Sequence, residues 1–217
     1  MKHVVTMVRL FFLALFAFLL ANGRMTLWLG LFAVSLLAAP AFGRIFCGYI
    51  CPMNTVMIPA EWISKKLKLQ TQKTPQWLGN GYFSWIALIA SIAAMLLSKR
   101  FLHINLPVLP IWLAIAVLVT LRYRPAVFHN LLCPFGAPQK LFGRFAKRAK
   151  KVEASTCIGC KLCEKVCPSD AIAVIEEEQK AVINTALCHQ CINCQQVCPK
   201  ESIGYSPMIS RGYAKPS

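Results

Sequence analysis

At 57% hydrophobic residues and a mean hydropathy of +0.53, this 217-residue chain is too apolar for an ordinary soluble domain and calls for membrane spans. Its net charge of +16 is lopsided: residues 1–151 hold 18 Lys and Arg against the single acid Glu61, whereas residues 152–217 hold 6 against 7 Asp and Glu. The basic residues flank apolar runs, so they read as positive-inside signals and argue against a nucleic-acid partner. The eleven cysteines sit in motifs that suit a reducing compartment, not a secreted disulfide frame.

Residues 4–21 are apolar apart from Thr6 and Arg9. With Lys2 in front they resemble a signal peptide, yet Asn22-Gly23-Arg24 leads straight into a second apolar run. The predicted spans are 4–21, 26–42, 82–98 and 104–121, each near the lower length limit for crossing a bilayer. The inner segments carry Arg44, Lys65, Lys66, Lys68 and Lys73, and later Arg122, Arg124, Lys140, Arg144, Lys147, Arg148, Lys150 and Lys151. The outer turns carry only Arg24, Lys99 and Arg100. That asymmetry predicts a multi-pass inner-membrane protein with both termini cytoplasmic. Pro59–Leu69 and 138–151 mix apolar and basic residues and are expected to lie on the inner membrane surface. The second of these is the linker that closes a membrane domain of residues 1–137. Tyr49 and Trp62 are aromatic-belt candidates. His103 with Arg100 is either a quinone-headgroup holder or an interface anchor.

A related pattern follows the second and fourth spans. Ile45-Phe46-Cys47-Gly48-Tyr49-Ile50-Cys51-Pro52 and Val127-Phe128-His129-Asn130-Leu131-Leu132-Cys133-Pro134 share an aliphatic residue, Phe, a Cys or His, three residues, then Cys-Pro. The two copies predict a tandem repeat of helix pairs. Cys47, Cys51, His129 and Cys133 form a candidate metal centre, since imidazole and thiolate both suit iron–sulfur clusters, zinc and copper. Packing residues at a helix end, or reversible thiol chemistry, are the alternatives.

The C-terminal residues 152–217 hold the strongest signal. Cys157, Cys160, Cys163, Cys167-Pro168 and Cys188, Cys191, Cys194, Cys198-Pro199 both read C-x₂-C-x₂-C-x₃-C-P. This is bacterial ferredoxin spacing, in which the fourth cysteine of each run ligates the other cluster. The expected cofactors are two 4Fe-4S clusters. Cys157, Cys160, Cys163 and Cys198 hold one, and Cys188, Cys191, Cys194 and Cys167 the other. Short helices are expected near Leu162–Val166 and Ile192–Val197, with β-prone segments at Ala171–Ile175 and Ala181–Asn184. His189 is expected to be exposed, or else to tune its cluster.

These motifs in this order resemble the membrane-bound ferredoxin-type proteins of the NapH kind, related to the polyferredoxin parts of NosR and CcoG. The resemblance implies a four-helix transmembrane bundle with a C-terminal α+β 2[4Fe-4S] ferredoxin-like domain. It also implies electron relay between the quinone pool and other redox protein subunits, as in a quinol dehydrogenase component. The family has Cys where His129 stands, so a bound cluster would gain a histidine ligand and a raised potential. A rival function is an assembly factor that reduces copper or a disulfide for another enzyme. No nucleophile triad, nucleotide loop or catalytic carboxylate pair is visible in the sequence.

Overall fold

In a computed structural model, residues 2–71, 78–79, 81–103 and 106–207 are described. The predicted start of the fourth span at 104–105 therefore lies outside the described residues.

Helix α1 (Lys2–Ala21) and helix α2 (Met25–Phe42) form an antiparallel hairpin. Phe16 meets Trp28 edge to face at 5.1 Å across it. Helix α4 (Tyr82–Leu97) continues through a π-helical turn, Ser98–Leu102, and α5 (Val108–Arg122) returns antiparallel to it. Among the described residues, three segments are long and apolar enough to cross a membrane by length and composition: His3–Ala21, Met25–Phe42 and Tyr82–Phe101. The fourth predicted span is a shorter apolar helix of 15 residues.

The chain does not stop at the C-terminal ends of α2 and α5. Gly43, in the left-handed region at φ 75°, ends α2 and reverses the chain. Phe46 then packs 5.2 Å from Phe32 and 6.4 Å from Trp28. Trp28 lies about 21 Å of helix before Phe42 at 1.5 Å per residue, so the segment has folded back into the bundle. A π-helical turn, Phe46–Ile50, closes with Cys51 N donating to Phe46 O at 2.9 Å. Pro52 forces Cys51 into an extended conformation and opens α3 (Pro52–Lys66) at its first position. Helix α3 runs alongside α5, with Met53 in the core that holds Leu109 and Ser64 Oγ donating to Leu121 O at 2.6 Å.

The second half does the same. Helix α6 (Pro125–Val127) leads into the π-helical turn Phe128–Leu132, where Cys133 N donates to Phe128 O at 2.8 Å. Phe135 reaches Phe32 at 5.2 Å, and α7 (Gly136–Gly143) returns along α2, Gln139 Nε2 donating to Ser35 Oγ at 2.8 Å. These returns revise the surface helices expected from sequence. Helix α3 starts at Pro52, not Pro59, and buries Met53, Asn54, Met57, Ala60 and Ser64 while leaving Trp62 exposed. Residues 138–151 are not one linker: α7 ends at Gly143, and the ferredoxin portion already begins at strand β1 (Arg148–Val152).

The C-terminal portion has two antiparallel ribbons. Strand β1 pairs with β4 (Ile203–Pro207), and β2 (Ile172–Ile175) pairs with β3 (Lys180–Ile183). Helices α8 (Leu162–Lys165) and α9 (Asn193–Val197) lie where the sequence places them. The small core of Cys163, Ile172, Val174, Ala181, Cys194 and Ile203 sits between ribbons and cysteines. So few apolar residues give little independent stability, and a domain of this size depends on what its cysteines hold.

Candidate functional site

Each four-cysteine run wraps one cavity and sends its last cysteine to the other. Cys157, Cys160, Cys163 and Cys198 line the first cavity, and Cys167, Cys188, Cys191 and Cys194 the second. The two runs are related by an internal repeat of local backbone. Gly159 and Gln190, the second residue after each opening cysteine, both have positive φ, as do Asp170 and Glu201, three residues after each closing one. Those turns aim backbone N–H groups at sulfur: Ala171 N to Cys167 Sγ at 3.2 Å, Ser202 N to Cys198 Sγ at 3.4 Å, Gln190 N to Cys188 Sγ at 3.4 Å. N–H donors on sulfur favour thiolate, the form that ligates iron. Burial works the other way, pushing the Cys163 thiol up to about 11 and Cys194 to about 12. Ligation to a metal takes the thiolate form, so a bound metal would take the proton's place. None of the eight is in a disulfide. The donor set, its N–H partners and the paired cavities fit 4Fe-4S clusters, which supply one-electron chemistry when bound.

The two runs differ in exposure. Cys160 is exposed and Ile158 beside it is 55% exposed, whereas Cys188, Cys191 and Cys194 are buried. The second run is buried because the membrane helices cover it. Gly48, between Cys47 and Cys51, lies against His189: a Cβ built on Gly48 would stand 2.3 Å from His189 O and 3.5 Å from Cys191 N. Tyr49 Oη donates to Gln190 O at 3.2 Å, so Tyr49 binds the ferredoxin portion and is not an aromatic-belt residue. Gly43 lies against the Gln190 side chain, a built Cβ standing 2.7 Å from Gln190 Nε2. From the other side, Arg9 Nε donates to Gly48 O at 2.9 Å.

Cys47, Cys51 and Cys133 share one buried core with Phe46 and Phe128, close enough for a charge on one to bear on another. His129 is buried as well, but its ring meets His189 edge to face at 4.5 Å. His189 is 1% exposed, against the exposure expected from sequence, and burial lowers its pKa well below the usual imidazole range. Neither of its ring nitrogens has a partner, nor does His129 Nε2. Among the described residues, no three Cys, His, Asp or Glu side chains are drawn together tightly enough for a single metal ion. A cubane takes each thiolate on a different iron and does not need the sulfurs to meet at a point. Arg100 and His103 are exposed at the far turn.

One residue that sequence reasoning passed over stands at this junction. Arg44 looked like another positive-inside cation, yet it is 0% exposed. Its Nη1 lies 3.4 and 3.3 Å from the carbonyls of Ala186 and Leu187, just before Cys188. The signal available was position: Arg44 directly precedes the first Cys-Pro motif, and the second copy has Ala126 at the matching place.

Paired four-cysteine cages on a ferredoxin frame, docked on apolar helices of membrane length, define a membrane iron–sulfur protein of the electron-transfer class. A family model described as a 4Fe-4S binding domain matches residues 25–70 and again 105–153, the two stretches that carry the Cys-Pro motifs. A 4Fe-4S dicluster domain model matches residues 149–199. The ferredoxin-type protein NapH of Haemophilus influenzae is 31% identical over 140 residues, 58% of this chain and 47% of that protein. The methylamine utilization ferredoxin-type protein MauN of Methylobacillus flagellatus is 28% identical over 137 residues, covering 58% and 48%. An uncharacterized protein of Methanocaldococcus jannaschii, MJ0749, is 29% identical over 140 residues, covering 62% and 55%. The chain is similar to ferredoxin-type proteins of the NapH and MauN kind, and it spans about half the length of the curated relatives it matches.

Proposed function

We propose that this chain relays electrons between the quinone pool and redox partner proteins across three iron–sulfur sites in a row. Cys157, Cys160, Cys163 and Cys198 hold one 4Fe-4S cluster; Cys188, Cys191, Cys194 and Cys167 hold a second. Cys47, Cys51 and Cys133, with His129 at the margin, hold a third inside the membrane part. The two Cys-Pro segments are tandem repeats, supported by their matching π-helical turns and the double match of one family model. Four spans put both termini and the ferredoxin portion on the cytoplasmic side, supported by the loop charges.

The observation that carries the reading is the seat of Gly48 on His189. It brings the membrane cysteine loop onto the second cysteine run with no side chain between them. The second run is thereby the inner station, and the run with exposed Cys160 is the station that faces a partner. The protein's own part is to exclude water, to hold sulfurs with backbone N–H groups, and to keep the stations in contact.

The test uses protein reconstituted in liposomes and reduced anaerobically with a quinol. The reading expects EPR signals of reduced clusters in the wild type and their loss in Cys51→Ser and Cys133→Ser, while dithionite still reduces both ferredoxin clusters. Quinol reduction that is unaffected by either substitution would remove the membrane cysteines from the path.

A further inference from the structure

We propose that Arg44 is the fixed countercharge of the membrane centre and the pin that joins it to the second cysteine run. The inference rests on the reading that Cys47, Cys51 and Cys133 hold a cluster. A guanidinium stays protonated at any ordinary pH, so Arg44 cannot escape burial by becoming neutral. Yet it is fully buried, and Nε and Nη2 have no hydrogen-bond partner. The ion pairs among the described residues are Glu61–Lys65, Arg124–Asp170 and Lys161–Glu176, none of which involves it. An unpaired buried charge is among the most unfavourable features a fold can carry, which points to an anion at this place.

The neighbours say which anion. A Cβ built on Gly136 would lie 3.3 Å from Arg44 Nη2 and 3.3 Å from Cys133 Cβ, so the missing side chain lets the two approach. Gly143 makes room for the stem, its built Cβ standing 2.8 Å from Arg44 Cγ. Helix α7 is thus shaped around this one side chain. His129, His189 and Lys140 also lie within electrostatic reach of Arg44, and none of them can be an anion. The cysteine thiolates, with the cluster they carry, can. Net charge and hydrogen bonds to sulfur are the levers that set a cluster's potential, and a cation held beside it raises that potential. Arg44 acts through position, at the end of α2, where Nη1 also touches the carbonyls that lead into Cys188.

The experiment is a potentiometric titration of full-length, anaerobically purified protein followed by low-temperature EPR. In Arg44→Gln the midpoint potential of the membrane centre falls, the cluster of Cys188, Cys191, Cys194 and Cys167 shifts less, and that of Cys157, Cys160, Cys163 and Cys198 least. Arg44→Lys, which keeps the charge and loses the fork, lies between Gln and wild type. Should Arg44→Gln not accumulate, pulsed EPR on wild-type protein labelled with ¹⁵N-arginine must show a nitrogen coupling to the reduced membrane centre. A membrane centre that is present but neither moves in Arg44→Gln nor couples to labelled arginine overturns the role given to Arg44. A wild-type protein with no third signal removes the reading beneath it.

Discussion

Substituting Gly48 by alanine adds one methyl group at the most sensitive contact between membrane part and ferredoxin portion. The new carbon would stand 2.3 Å from His189 O, a backbone atom with no rotamer to yield. Restoring ordinary contact needs a separation of roughly 1 Å. Arg9 holds the Gly48 carbonyl from behind, so the loop has no free direction of retreat and the second cysteine run must move. Overpacking of this kind costs about 1–3 kcal/mol. If that cost falls on docking, the ratio of seated to unseated ferredoxin portion drops roughly 5- to 150-fold at 1.4 kcal/mol per decade. Hydrogen exchange of residues 186–191 in detergent-solubilised protein reads the change directly, with Gly30→Ala as control because a Cβ there meets nothing within 4 Å. Faster exchange in Gly48→Ala alone is the expected result. Equal exchange in both variants would refute the claim that this contact seats the two parts.

Three further outcomes follow from the geometry. Cys167→Ser should disturb the cluster of Cys188, Cys191 and Cys194, whose cavity it lines, and EPR showing damage confined to Cys157, Cys160 and Cys163 would overturn the crossover. Rebuilding clusters in the apoprotein at pH 7 should release protons, because cluster ligation takes the thiolate form of each cysteine and burial favours the protonated thiols of Cys163 and Cys194. Uptake falls as pH drops, and stopped-flow with a pH indicator that shows no release would contradict thiol ligation. A reporter fused after Ser217 should be active only in the cytoplasm and one inserted after Gly23 only outside; the reverse would invert the proposed electron path.

Much of this protein was legible in its sequence, for reasons that are local. The long helices follow from unbroken apolar runs, and the cysteine cages follow from a spacing that has one well-matched use. The returns of α3 and α7 were not legible. Hydropathy ranks residues by polarity and cannot tell a chain that leaves the bundle from one that folds back into it. Pro52–Ile58 mixes Asn54 and Thr55 with Met53 and Met57, so it matched neither a span nor a surface helix. Strand β1 was hidden for another reason. Its residues Arg148, Lys150 and Lys151 show no apolar alternation, and it pairs with β4, which begins more than 50 residues later. Lys150 is buried there, its Nζ donating to Gln195 Oε1 at 2.6 Å. His189 and Arg44 illustrate the general limit: each is buried by a part of the chain remote in sequence.

The third cluster is the link between membrane and ferredoxin portion in the proposed relay, and iron counting tests it most directly. Anaerobically purified full-length protein, analysed for iron and acid-labile sulfide and by Mössbauer spectroscopy, should hold about twelve irons per chain, four for each cubane. The triple variant of Cys47, Cys51 and Cys133 to serine should hold about eight, with the ferredoxin signals unchanged. About eight irons in both proteins would contradict a cluster in the membrane part.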